Sequence, residues 1–108
     1  NDKVFVKDGE RCWFVRIGDV RYFETAGNYS KVIFDKNRPL ILKSLNALED
    51  RLDDRQFFRA NRKQIINLEF IDKIHPHFNG GLKVILSCGE EIEISRRQAS
   101  KFKEKMAL

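Results

Sequence analysis

The chain has 108 residues, 42% hydrophobic and 34% charged, a balance that suits one globular domain with a single core and excludes an intrinsically disordered protein. No apolar run approaches the roughly 18 residues of a membrane-spanning helix, so we expect a cytoplasmic protein without a membrane partner. The first residue is Asn rather than Met, and we expect the domain to have been cut from a longer protein.

The net charge of +5 lies in the second half of the chain. Residues 1–54 hold ten basic and ten acidic side chains, whereas residues 55–108 hold eleven and six. Within that half, the segments 55–64 and 95–105 each carry +4. If folding brings these segments together, they form one basic face suited to a polyanion. If it does not, they are two unrelated solvated surfaces.

Residues 4–42 are predicted to form short strands joined by tight turns. Asp8-Gly9-Glu10 predicts a hairpin between strands near residues 4–6 and 12–14, because Asp-Gly favours a two-residue hairpin turn. The loop at Gly27 can present the side chains of Asn28, Ser30 and Lys31 together, although these residues alone favour an ordinary hairpin loop. Further strands are expected at 22–24, 29–34 and 40–42.

The segment 57–67 combines apolar ends with a cationic middle. Phe57 and Phe58 begin it and Ile65 and Ile66 close it, so both ends are expected to join the core. We expect an extended start and a helical turn in the middle. Hydrogen-bond donors and positive charge on a rigid base suit a nucleic acid, which is a polyanion with base edges that accept hydrogen bonds. Between the apolar ends lie three cations and two amides: Arg59, Arg62, Lys63, Asn61 and Gln64.

Residues 70–94 contain no pattern of a catalytic or metal site. Strands are expected at 70–74, 82–86 and 92–94, joined by turns at Asn79-Gly80-Gly81 and Cys88-Gly89-Glu90. His75 and His77 are too few to hold a metal, and Cys12 and Cys88 are expected to be buried thiols of a reducing cytosol. We therefore expect neither a metal nor a cofactor, and no enzyme.

Two helices are predicted, each with a serine as its N-cap. Ser44 precedes Leu45, Leu48 and Leu52, which recur at the spacing of an amphipathic helix. Ser95 precedes a tail helix whose apolar side holds Ala99, Phe102 and Met106. Together with the strands, they predict a mainly β domain with a short central helix and a C-terminal helix.

The first turn of the tail helix carries two cations. Ser95 and Gln98 fit a capping box, which places Arg96 and Arg97 beside the positive end of the helix dipole. Cations there are unfavourable by about 0.3–1 kcal/mol each, but free N–H groups with two guanidiniums make a good anion site. The alternative is that both side chains simply extend into solvent.

Three blocks of the sequence together resemble the LytTR-type DNA-binding domain, the output module of many bacterial response regulators. The blocks are 22–29 (YFETAGNY), 57–67 (FFRANRKQIIN) and 94–97 (ISRR). The resemblance covers nearly the whole chain. It implies a mainly β fold of elongated antiparallel sheets with a short central helix and a C-terminal helix. It also implies that residues 1–108 are one domain from the C-terminal part of a longer regulator.

The resemblance implies DNA contacts from three loops rather than from a recognition helix. Asn61 departs from the family pattern, in which His is frequent, so it could support Arg62 or touch DNA itself. The residues expected to contact bases are Arg62, Arg97, Asn28, Ser30 and Asn61. The residues expected to contact phosphates are Lys31, Tyr29, Lys63, Arg96 and Lys101.

The implied partners are bent double-stranded DNA with tandem half-sites, a second copy of the domain, an upstream receiver domain and a sensor kinase. One alternative is an RNA or single-strand binder, whose exposed aromatics would be Trp13, Tyr22 or Tyr29. The other is a β-rich interaction module whose basic face meets an acidic protein.

Overall fold

A computed structural model describes residues 2–108, which form an elongated molecule of 43 × 26 × 25 Å. Its centre is a five-stranded antiparallel sheet in the order β5-β4-β3-β7-β6, accompanied by a β1-β2 hairpin and a β10-β9-β8 sheet. The strands are β1 (Lys3–Asp8), β2 (Arg11–Arg16), β3 (Tyr22–Ala26), β4 (Tyr29–Ile33), β5 (Leu40–Ile41), β6 (Phe57–Asn61), β7 (Gln64–Asn67), β8 (Ile71–Pro76), β9 (Leu82–Leu86) and β10 (Glu91–Ile94). The helices are α1 (Leu45–Arg51) and α2 (Arg96–Met106), and short 3-10 turns occupy Ile17–Asp19, Leu68–Phe70 and Phe78–Gly80.

The central sheet is buried on both faces because apolar residues follow one another along its strands. Tyr22 points to one face of the sheet, as do its cross-strand partners Ile33 and Ile66. Phe23 points to the other face with its partners Val32 and Ile65. The first face packs against β8–β10 and α2, through the cluster of Tyr22, Ile33, Phe58, Ile66, Val84, Ile94 and Phe102. The second packs against the β1-β2 hairpin and α1, through the cluster of Phe23, Val32, Phe57, Ile65, Val6, Val15 and Leu48.

Both predicted helix caps are present. The Ser44 hydroxyl accepts a hydrogen bond from the Ala47 N–H at 3.1 Å, and the Ser95 hydroxyl accepts one from the Gln98 N–H at 3.3 Å. Phe102 of α2 meets Phe58 of β6 with ring centroids 5.3 Å apart, so α2 is held against the central sheet. Neither helix in the described part of the chain is long and apolar enough to cross a membrane.

The mainly β architecture with two helices is confirmed, but three local expectations are wrong. The middle of 57–67 is a hairpin turn between β6 and β7, not a helical turn. Met106 is 49% exposed, because only the Ala99–Phe102 part of α2 faces the sheet. Both Cys12 and Cys88 are exposed thiols. Partial burial and a hydrogen bond to Glu90 raise the pKa of Cys88 above its ordinary value.

Candidate nucleic-acid interface

The β6–β7 turn presents Arg62 and Lys63 to solvent between two strand residues, Asn61 and Gln64. The Asn61 side chain organises this turn: its Oδ1 accepts from the Lys63 N–H at 2.8 Å, and its Nδ2 donates to Gln64 Oε1 at 3.0 Å. The same Nδ2 donates to the Glu93 carbonyl at 2.6 Å. Because both amide N–H groups have protein partners, Asn61 supports the turn, and its expected base contact is corrected to that role.

Arg59 is a second support of this turn rather than a free cation. Its guanidinium donates to the carbonyls of Asn61 at 2.8 Å and Arg62 at 3.0 Å, and to Asn46 and Glu49 of α1, both at 2.9 Å. The side chain is 17% exposed. The planar fork of the guanidinium thus ties the turn backbone to the helix below.

The start of α2 lies beside this turn. The Ser95 N–H donates to the Ala60 carbonyl at 3.0 Å, and Gln98 Nε2 donates to the Arg59 carbonyl at 2.7 Å. The Gln98 side chain therefore bonds to β6 instead of closing the predicted capping box. These contacts place the start of α2, with exposed Arg96 and Arg97, next to the β6–β7 turn.

The β3–β4 turn adjoins the β6–β7 turn on its other side, since the Thr25 N–H donates to the Lys63 carbonyl at 2.9 Å. Gly27 begins this turn with a φ of +63°, which only glycine adopts easily. Asn28 and Tyr29 are exposed, and Lys31 is half-buried. We call the surface formed by residues 27–29, 61–64 and 95–97 the basic edge.

Ser30 does not belong to the basic edge. Its side chain is 0% exposed, and its hydroxyl donates to the Lys43 carbonyl at 2.6 Å. The expectation that Ser30 contacts a base is therefore corrected: the hydroxyl has a structural partner. The alternation of β4 does not reveal this, because the sheet is buried on both faces: Ser30 shares a face with buried Val32, and Lys31 shares the other with buried Ile33.

The cations of the basic edge have no acidic partner among residues 2–108, whereas Arg59, which supports it, and Arg55, which lies outside it, do. Arg55 pairs with Asp53 at 3.1 Å and Arg59 with Glu49 at 2.9 Å. Arg97 and Lys101 are four residues apart and share one side of α2. No carboxylate lies within ion-pair distance of Arg62, Lys63, Arg96, Arg97 or Lys101. The two basic segments of the sequence thus contribute to one surface.

A fourth segment, which the sequence did not single out, lies against the start of α2. The β8–β9 loop runs from His77 to Gly81, where a Cβ atom on Gly81 would approach the Ile94 carbonyl to 2.8 Å. A Cβ on Gly80 would lie 3.4 Å from Cγ of Arg96. In the sequence, the pair Gly80-Gly81 predicts only a turn, and nothing in it indicates the close approach of the backbone to Ile94.

Comparison with known proteins gives one matching family and several relatives of similar sequence. The model of the LytTr DNA-binding domain matches residues 10–107. The chain is 27% identical over 108 residues to the sensory transduction protein LytT of Enterococcus faecalis, covering 100% of this chain and 45% of that protein. It is 32% identical over 101 residues to the CO-responsive transcriptional regulator RcoM of Rhodospirillum rubrum, covering 93% of this chain and 43% of that protein.

A solved LytTr DNA-binding domain from Bacillus cereus has the same fold, with a TM-score of 0.91 at 23% identity over 100% of this chain and 99% of that chain. The chain spans less than half of the two curated relatives described above. The family model nevertheless covers all but the first nine residues and the last one. The chain therefore belongs to the LytTr DNA-binding domain family.

Proposed function

We propose that this domain binds specific double-stranded DNA by inserting the turns of the basic edge into the major groove. The observation that carries the proposal is the set of hydrogen bonds that joins these segments: Thr25 to Lys63, Asn61 to Glu93, and Ser95 to Ala60. They make a preformed cationic surface from residues far apart in the chain. Such a surface needs little reordering when it meets a duplex.

The chemistry of each side chain decides whether it is proposed to contact a base or a phosphate of the DNA. Arg62 and Arg97 are exposed guanidiniums that can pair bidentately with guanine, which discriminates by about 1–3 kcal/mol per base pair. Asn28 can pair with adenine in the same way. The phosphate contacts, which fix the register of the domain on the duplex, come from Lys31, Tyr29, Lys63, Arg96 and Lys101.

The whole protein is proposed to be a response regulator of a two-component system that controls transcription in the cytoplasm. Support comes from relatives named sensory transduction protein or transcriptional regulator. An upstream receiver domain, phosphorylated by a sensor kinase, would then control the pairing of two copies on tandem half-sites. The domain itself acts by binding and contributes no catalytic step.

Selection of bound duplexes from a random pool tests the proposal. We expect a consensus made of repeated half-sites containing guanine. Repeating the selection with Arg62→Ala and with Arg97→Ala should relax the preference at different guanine positions, because each side chain contacts its own base pair. Recovery of unenriched sequences by the unmodified domain would refute sequence-specific binding.

The single-strand alternative is weakened by where its aromatics lie. Tyr22 is 6% exposed, and Trp13 packs against Phe34 with centroids 6.1 Å apart while Arg11 covers it at 4.7 Å. Only Tyr29 of the three is open to solvent, and one ring is not a stacking platform. Exposed Phe5 and Phe14 face each other across the β1-β2 hairpin, which packs on the opposite face of the central sheet from β8–β10 and lies outside the basic edge. Competition between duplex and single strands separates the alternatives, and a protein-interaction module would show affinity indifferent to DNA sequence.

A further inference from the structure

Phe78 is an exposed aromatic at the tip of the β8–β9 loop. Its side chain is 77% exposed, and its ring meets the His77 ring with centroids 4.6 Å apart and planes inclined by 49°. Such a ring leaves most of its apolar surface in water, which is unfavourable unless a partner covers it.

The loop that carries Phe78 is closed by a backbone hydrogen bond across its base. The His77 N–H donates to the Gly81 carbonyl at 3.0 Å, and Asn79 and Gly80 take φ values of +76° and +82°. A Cβ atom added to Gly81 would come within 2.8 Å of the Ile94 carbonyl, so the loop backbone lies close to the end of β10. Phe78 is therefore presented by a preformed loop rather than by a free chain end.

The loop continues the basic edge beyond Arg96. A Cβ atom added to Gly80 would lie 3.4 Å from Cγ of Arg96, so the loop runs beside the aliphatic stem of that residue. The His77 Nε2 lies 3.7 Å from the Glu93 carboxylate, and the Glu93 carbonyl accepts a hydrogen bond from Asn61 of the β6–β7 turn. No acidic residue occurs between His75 and Gly81. The loop itself therefore carries no negative charge that would repel a duplex docked on Arg96 and Arg97, and the neighbouring Glu93 carboxylate is the one that lies 3.7 Å from His77 Nε2.

We propose that the β8–β9 loop is a further DNA-binding element, in which Phe78 makes apolar contact with the duplex beside the base pairs contacted by Arg97. This inference rests on the proposed function of the basic edge. A duplex offers a phenyl ring three apolar surfaces: the deoxyribose rings, the thymine methyl group and a partly unstacked base step. The contact lengthens the recognised site on one flank.

The test compares the dissociation constants of variants on a duplex recovered by selection. Phe78→Ala should bind about tenfold more weakly, because the buried ring contact is lost, and Phe78→Leu should retain most of the affinity. Phe14→Ala is the matched control: Phe14 is 70% exposed but lies on the β1-β2 hairpin, which packs on the opposite face of the central sheet from β8–β10. It should leave the dissociation constant unchanged.

Hydroxyl-radical footprints of the saturated complexes supply a second readout. The Phe78→Ala footprint should be shorter at one flank than that of the unmodified domain, and the Phe14→Ala footprint should be unchanged. Equal affinity and an equal footprint for Phe78→Ala, with Arg97→Ala still weakened, would overturn this inference and leave the proposed function standing. If the unmodified domain binds no duplex, both fail together.

Discussion

At the scale of single residues, the cations of this domain divide into those that build the surface and those that it presents. Arg59 and Arg62 are three positions apart in the same basic segment. The Arg59 guanidinium donates hydrogen bonds to two carbonyls of the turn and to two side chains of α1, whereas the Arg62 side chain is exposed to solvent. Charge counted along the sequence does not separate these roles, because the partners of Arg59 include residues in α1.

Replacing Arg59 should therefore destabilise the fold as well as binding. Arg59→Ala removes charge-assisted hydrogen bonds and leaves the carbonyls of Asn61 and Arg62 without this partner, so we expect the free energy of unfolding to fall by about 2–3 kcal/mol. Urea denaturation measures this change. Arg55→Ala is the control, since Arg55 pairs only with nearby Asp53 on the surface and should show no resolved change. Equal effects of the two substitutions would contradict the supporting role.

Part of the residue-level assignment was available from the sequence. The basic segments mark Arg62 and Arg97 as exposed, whereas the alternation of β4 does not mark Ser30, because Lys31 shares a face with buried Ile33 as Ser30 does with Val32. The role of Asn61 could not be inferred in this way, because its decisive partner, the Glu93 carbonyl, lies 32 positions away. A local polar pattern predicts exposure, but it does not identify a partner that tertiary structure brings to a side chain.

At the scale of elements, α2 begins with an electrostatic conflict. Arg96 and Arg97 occupy its first turn, which holds no acidic residue, while Lys103 and Lys105 occupy its last turn, where the dipole favours them. The conflict is tolerated because Ser95 caps the helix and Phe102 packs against Phe58. A locally unfavourable charge on a well-anchored helix is the pattern expected where binding, not stability, determines the residue.

Arg97→Ala should accordingly separate stability from binding. Removing a cation from the positive end of the dipole should leave the melting temperature equal or slightly higher, while DNA affinity falls. Thermal unfolding and fluorescence anisotropy measure the two effects. Lys103→Ala is the control, because it removes a charge of the same sign from the favourable end of α2 and should leave DNA affinity nearly unchanged. A large fall in melting temperature for Arg97→Ala would indicate a structural arginine instead.

The elements themselves were largely predictable, whereas their assembly was not. Alternating apolar residues and the Asp8-Gly9 turn predicted the strands, and Ser44 and Ser95 marked both helix starts. The β6–β7 turn was missed because the polar run from Asn61 to Gln64 has no Gly or Pro to mark it. Which turns meet depends on backbone hydrogen bonds such as Ser95 to Ala60, for which the sequence carries no side-chain signal.

At the scale of the whole molecule, the net charge of +5 is distributed unevenly in space as well as in sequence. The basic edge holds cations that lack acidic partners, and the hydrogen bonds between its turns keep them on one surface. A surface of this kind attracts a duplex through the release of condensed counterions, so binding should depend steeply on salt. The remaining question is how much of this dependence belongs to the basic edge.

The slope of log affinity against log salt concentration answers it. With about six phosphates contacted, the slope should be about −5, and Lys63→Ala should make it shallower by about 1 because one phosphate contact is lost. Lys7→Ala is the matched control: Lys7 is an exposed lysine of the β1-β2 hairpin whose Nζ donates to the Gly9 carbonyl at 2.7 Å, outside the basic edge. Its slope should equal that of the unmodified domain. A flat salt response would contradict duplex binding by this surface, and equal slopes for both lysine variants would remove Lys63 from the phosphate contacts.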